Sequence, residues 1–176
     1  MQPEKLNINI EKLYSTYSDR LYFTSLRIVG NSYDAEEIMQ DTFIKYYNYP
    51  NKTDILEIQK WLSSICIRKS IDVLRAKNRN ALTIEEYREN NNNTLYDEGI
   101  SLFEEENDTN KTIEKIKTAL NSLPDRYRLI LSLHLFEGYD YSEIEHITGI
   151  KENSIRSIYM RGKAKLAELL QNKINK

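Results

Sequence analysis

A chain of 176 residues with one cysteine, two histidines, three prolines and five glycines is excluded from several protein classes before any motif is sought. Cys66 alone cannot form an internal disulfide, and its isolation suits a reducing compartment. Apolar runs are short. Leu129-Ile130-Leu131 is typical, far below the ~20 residues a transmembrane helix needs. No apolar stretch follows Met1-Gln2-Pro3-Glu4-Lys5, so a secretory leader is not expected. These absences together imply a cytoplasmic chain without direct membrane insertion. His134 lies in an apolar run, and His146 lies beside Glu143 and Glu145. With one cysteine and no glycine-rich phosphate loop, neither a metal cluster nor a catalytic triad can be assembled. No enzyme, metal, cofactor or small-molecule substrate is therefore expected.

What is present is helical periodicity, which with little glycine and proline predicts an all-α chain. Ile8 to Ile28 reads as one helix, with Ile10, Leu13, Tyr14, Tyr17, Leu21, Tyr22 and Leu26 recurring at threes and fours. Gly30 and Asn31 should end it, since both tolerate a left-handed cap. A second helix from Ser32 to about Tyr47 turns Ala35, Ile38, Met39, Thr42, Phe43 and Tyr46 inward and leaves Asp34, Glu37, Gln40, Asp41 and Ile44 outside. Asn48 to Asp54 is a turn-rich loop. The following helix has Ile58, Trp61, Leu62, Ile65, Cys66, Ile71 and Leu74 at core spacing. Its end is basic: Arg68, Lys69, Arg75, Lys77 and Arg79 face only Asp72. Cations also favour a helix C-terminus, yet cations beside tyrosine and asparagine match the mixture used on single-stranded nucleic acid.

Residues 81–110 hold nine carboxylates against Arg88, plus the run Asn90 to Asn93. Such a stretch buries too little apolar surface to offset its ordering entropy, so it reads as an acidic flexible linker. It divides the chain into two small helical domains, 8–80 and 111–170. In the second, Leu123-Pro124-Asp125 opens a helix that Gly138 ends, with Tyr127, Ile130, Leu131, His134 and Leu135 on one face. Asp140 and Glu143 have capping-box spacing, Gly149 supplies a tight turn, and a basic helix follows. This is a helix-turn-helix pattern. From Lys151 to Lys176 seven cations face Glu152 and Glu168, a local net of +5 on a chain whose total is −2. An ordinary αα-hairpin with a solvated basic face remains the plainer reading. Docking in a major groove is the sharper one. A stand-alone duplex-binding regulator would explain this half, but it would leave the acidic helix face and the other basic patch unused.

Both halves, in this order, resemble the extracytoplasmic-function (ECF) type of bacterial RNA polymerase sigma factor. LYSTYSDRLYFTSLRIVGNSYDAEEIMQDTFIKYY and WLSSICIRKSIDVLR resemble sigma region 2, and LPDRYRLILSLHLFEGYDYSEIEHITGIKENSIRSIYMRGKAKL resembles sigma region 4. The resemblance implies that Asp34, Glu37, Gln40 and Asp41 bind the β′ clamp helices of core polymerase, and that the β flap is a further partner. It implies −10 promoter contacts for Tyr47, Asn48, Asn51, Lys52, Arg68, Lys69, Arg75 and Lys77. For the −35 element it implies Lys151, Asn153, Ser154, Arg156, Ser157, Arg161 and Lys163. The linker would occupy the channel later used by nascent RNA, and an anti-sigma factor is an expected partner. Four positions depart from the family pattern: Arg68 for a frequent Asn, Lys151 for a Ser cap, Ile158 for Arg and Gly162 for Ala.

Overall fold

The computed structural model describes residues 10–80 and 108–174, and the linker reading for residues 81–107 falls outside them. Helices α1 (Ile10–Val29), α2 (Ser32–Asn48) and α3 (Ile58–Asn80) form the N-terminal half, with a 3-10 turn at Lys52–Asp54. In the C-terminal half, α4 (Asp108–Asn121) precedes α5 (Asp125–Leu131), which runs into a π-helical turn at Ser132–Phe136. Helices α6 (Tyr141–Thr148) and α7 (Glu152–Ile174) complete it. The described residues carry the expected all-α architecture. Residues 108–110 are helix, not linker. Asp, Thr and Asn are residue types that open helices well.

The inward stripe expected of α2 is buried at every position, Ala35 through Tyr46. On α1, Leu13, Leu21 and Ile28 are core, but Ile10 and Tyr14 are exposed; Thr24 and Ser25 are buried instead. The Ser25 hydroxyl is satisfied by Leu21 O and Ala35 O, which lets α1 and α2 approach closely. On α3, Leu62, Cys66, Ile67, Ile71 and Leu74 close the three-helix core. Fully burying an aliphatic side chain of this size stabilises by about 1.5–3 kcal/mol. The sequence groups Gly30 and Asn31 in one left-handed cap, and the structure separates them. Gly30 (φ +70°) donates its N–H to Leu26 O and ends α1. Asn31 is extended, and its side chain accepts from the Asp34 N–H as the N-cap of α2.

The two halves share one apolar cluster. Leu129, Ile130, Leu133, Ile144, Ile155 and Ile158 join the core of α1–α3, while Leu120, Leu123 and Leu131 make a smaller cluster with Leu166 and Leu169. Polar groups fix the seam. A helix leaves its last four carbonyls without partners. In α1, Leu26 O takes the Gly30 N–H, and the C-terminal half satisfies the other three. Ser132 Oγ donates to Arg27 O, Arg128 Nε to Ile28 O and Arg128 Nη2 to Val29 O. Arg128 is only 3% exposed. Its remaining donors reach Leu123 O and the Asp125 carboxylate. A second seam contact joins Arg27 to the buried Glu137 at 2.7 Å, with Thr24 Oγ1 donating to the same carboxylate oxygen.

Candidate functional site

Three surfaces hold the residues singled out in the sequence. On α2, Glu37 and Gln40 are exposed, and Gln40 Nε2 reaches the Glu36 carboxylate at 3.2 Å. Asp34 and Asp41 are partly covered. Lys69 of α3 bonds Asp41 at 2.7 Å, and Lys77 bonds Asp34. The acidic face of α2 and the basic end of α3 are thus one continuous surface on which four of the singled-out residues are paired to each other.

The loop after α2 is pinned by its own cation. Lys52 Nζ donates to Tyr47 O (2.9 Å) and Tyr49 O (3.0 Å), beneath the Tyr46 and Tyr47 rings. This satisfies carbonyls at the C-terminus of α2 and leaves Tyr47 64% exposed, with Asn48 and Asn51 exposed beside it. Trp61 packs edge-on to Tyr46 and against Tyr49 and is partly buried, so it supports the loop from the core side. Along α3, Arg68 is exposed. Arg75 lies at the seam: its Nη2 donates to Thr148 O at the end of α6, and its Nη1 lies 3.5 Å from Asp72.

In the third surface, α6 and α7 form the expected helix-turn-helix. Both bonds of the Asp140–Glu143 capping box are made, and Gly149 ends α6 at φ +72°. Lys151 offers no capping oxygen from its side chain. The first turn of α7 is instead held from α6, where Glu145 Oε2 accepts the Glu152 N–H at 3.0 Å. Ile155 and Ile158 are buried, which explains why an apolar residue stands at 158. Gly162 is buried too. A Cβ there would lie 3.1 Å from Tyr127 Cβ, so glycine allows α7 to cross close to α5. Lys151, Asn153, Ser154, Arg156, Ser157, Arg161 and Lys163 all remain exposed. Arg156 is drawn back onto Glu152 and over the Tyr141 ring, which in turn stacks on His134 at 4.8 Å.

Two family profiles match these same units: "Sigma-70 region 2" over residues 13–80 and "Sigma-70, region 4" over residues 113–166. The chain belongs to the ECF branch of the sigma-70 family. It is similar to the ECF RNA polymerase sigma factor SigM of Bacillus subtilis, 26% identical over 96% of this chain and 99% of that one. The ECF sigma factor SigW of the same organism is 26% identical over 89% and 86%. Among solved structures, the sigma factor RpoE of Bartonella quintana, determined with the anti-sigma factor NepR, shares the fold. The TM-score is 0.61 at 21% identity, covering 93% of this chain and 97% of that one. As a sigma factor, the protein is a transcription initiation factor that binds core RNA polymerase and directs it to promoter DNA.

Within this sigma factor, sequence reasoning missed the buried polar groups. Arg128, Glu137 and Thr24 gave no periodic signal, because polar residues at core spacing read as interruptions of a face. Burial also pushes the Tyr139 hydroxyl above its ordinary range, helped by the charges of Glu137 and Glu143. Cys66 is buried as expected; desolvation pushes its thiol up to about 12, and Sγ contacts Leu21 O. Among the described residues, no three His, Cys, Asp or Glu groups gather as a metal site, and no helix is long and apolar enough to cross a membrane.

Proposed function

We propose that residues 8–80 act as the polymerase-binding and −10-reading domain and residues 111–170 as the −35-reading domain, with no chemistry of their own and in the cytoplasm. Asp34, Glu37, Gln40 and Asp41 are the polymerase-binding set. Tyr47, Asn48 and Asn51, on a loop held rigid by Lys52, receive the opened −10 strand. Arg68, Lys69, Arg75 and Lys77 hold its phosphates, a salt-dependent term largely indifferent to sequence. On α7, Asn153, Ser154, Arg156 and Ser157 face −35 base edges or lie beside them, Arg161 and Lys163 face phosphates, and Lys151, just before the helix, belongs to the same −35 set. The observation that carries the reading is two basic surfaces, one a helix-turn-helix, on a chain that also presents an acidic helix face.

The internal ion pairs give this reading a sequence of events. Basic groups of a partner that engage Asp34 and Asp41 displace Lys77 and Lys69, which become available for phosphates. Docking of the halves has a similar consequence. The −10 and −35 elements lie roughly 25 base pairs apart, about 85 Å along a duplex rising 3.4 Å per pair. A compact chain of this length has a radius of gyration of only about 16 Å. Arg75 and Thr148, from opposite halves, are 3.0 Å apart. The halves therefore separate before both elements are read, and an anti-sigma factor that favours the docked form would hold the protein inactive. Co-purification with bacterial core polymerase tests the assignment. Glu37→Ala with Gln40→Ala should weaken capture at least tenfold without lowering the melting temperature. Undiminished capture would remove α2 from the polymerase interface.

A further inference from the structure

Docking hides one face of the C-terminal half under the end of α1, and that face is built as a seat for a helix C-terminus. Arg128 Nε and Nη2 donate to Ile28 O and Val29 O at 3.1 and 3.2 Å, and Ser132 Oγ donates to Arg27 O at 3.3 Å. The last carbonyls of a helix carry partial negative charge, which a guanidinium complements. Arg128 is held from its own side by Leu123 O and the Asp125 carboxylate, so its place does not depend on α1. Beside it Glu137, with a side chain only 4% exposed, receives the Arg27 guanidinium at 2.7 Å and the Thr24 hydroxyl at 2.9 Å. The Phe136 ring lies 5.1 Å from the same guanidinium, and Leu129 and Leu133 join the shared apolar cluster. The seat also selects the residue after the helix, since a Cβ at Gly30 would lie 2.9 Å from Arg128 Cζ. It accepts an apolar helix with a cation in its last turn and glycine just beyond.

Reading both promoter elements requires this face to be uncovered, yet DNA at the −35 element alone does not uncover it. The α7 residues assigned to that element are exposed in the docked form, so such DNA binds docked and open chains alike. A ligand shifts an equilibrium only by its preference for one state, and the seat is free only in the open state. We infer that the end of α1 is an internal stand-in for a helix end of core polymerase. The two take the same seat on α5 and the turn after it, so docking of the halves and capture through this face exclude one another. The occupant is a protein helix and not nucleic acid, because the Glu137 carboxylate beside Arg128 repels phosphate. Polymerase supplies it because the open chain reads promoters only in that complex. This rests on the polymerase-binding reading, and adds a contact on the C-terminal half to that of α2.

Two variants break one ion pair from opposite sides. Arg27→Gln alters only the stand-in, whereas Glu137→Gln alters the seat that both occupants share. In the free full-length chain, both should lower energy transfer between dyes at Ile44→Cys and Met160→Cys in a Cys66→Ala background. Capture of the unlabelled chains by core polymerase then separates them. Arg27→Gln should be captured roughly tenfold more tightly, because a larger fraction of the chain is open and competent. Glu137→Gln should stay near the wild type or below it, since the polymerase helix loses the partner of its cation. Ser132→Ala, which removes one donor from the seat, repeats that arm if Glu137→Gln does not fold. Equal gains from both sides of the pair overturn the inference, because the halves would open without the seat being filled. So does unchanged capture of Arg27→Gln when its energy transfer has fallen, and so does unchanged transfer in every variant. Failure of the wild type to be captured at all overturns the polymerase reading, and the stand-in with it.

Discussion

Single residues decide how the halves of this sigma factor hold together. Arg128 supplies donors to carbonyls at the end of α1 and after α4, and no other group in the seam can replace it. Arg128→Met should cost about 3 kcal/mol, because buried acceptors lose their partner as well as the ion pair. Chemical denaturation checks this. Gly30 and Gly138 make a sharper comparison. Both have φ near +70° to +77°, but a Cβ at Gly30 would sit 2.9 Å from Arg128 Cζ, while Gly138 faces open space. Gly138→Ala should cost the backbone strain alone, about 1–2 kcal/mol. Gly30→Ala should cost clearly more; equal losses would mean that the guanidinium moves aside freely. Cys66 sets a pH dependence. Its folded thiol titrates at about 12, whereas an unfolded thiol titrates near about 8.5. Between those values the unfolded chain has released a proton that the folded chain keeps. Stability is therefore full below the unfolded value and falls as pH rises, by up to about 1.4 kcal/mol per pH unit. Cys66→Ala should flatten the stability profile between about pH 9 and 10, below the ordinary range of tyrosine hydroxyls.

At the scale of elements, α7 shows how neighbours compensate for a poor local sequence. Glu145→Ala removes the oxygen that accepts the Glu152 N–H. It should loosen the first turn of α7 at a cost of about 1 kcal/mol, visible as faster amide exchange at residues 152–155. Unchanged exchange would leave the turn held by backbone bonds alone. Elements with a strict period were legible from the sequence: the buried stripe of α2 matches residue for residue, and Asp140, Glu143 and Gly149 fixed both ends of α6. The end of α5 was not legible. A π-helical turn at Ser132–Phe136 widens the helix, so Leu135, expected inside at 3.6-residue spacing, is 50% exposed. Gly162 was legible only as a weak helix former, since a close crossing with Tyr127 is a fact about another helix. The candidate cations of α3 and α7 can be picked out in the sequence, but their pairing cannot. Lys69 and Asp41 are 28 positions apart, and only the packing of α3 on α2 joins them.

For the whole molecule, the docked arrangement and the promoter geometry make opposite demands. Energy transfer between dyes at Ile44→Cys and Met160→Cys, in a Cys66→Ala background, should be high in the free chain. It should fall when core polymerase and promoter DNA are added together. Constant transfer would mean that the halves read DNA without separating. The central claim, that this chain selects promoters for polymerase, is tested most directly by run-off transcription with purified bacterial core enzyme on fragmented genomic DNA from the same source. A few discrete start sites sharing spaced −35 and −10 elements are expected, lost when Glu37, Gln40 and Asp41 become alanine. Absence of transcripts from a folded protein that still shifts duplex DNA by itself would contradict it and leave a stand-alone helix-turn-helix regulator.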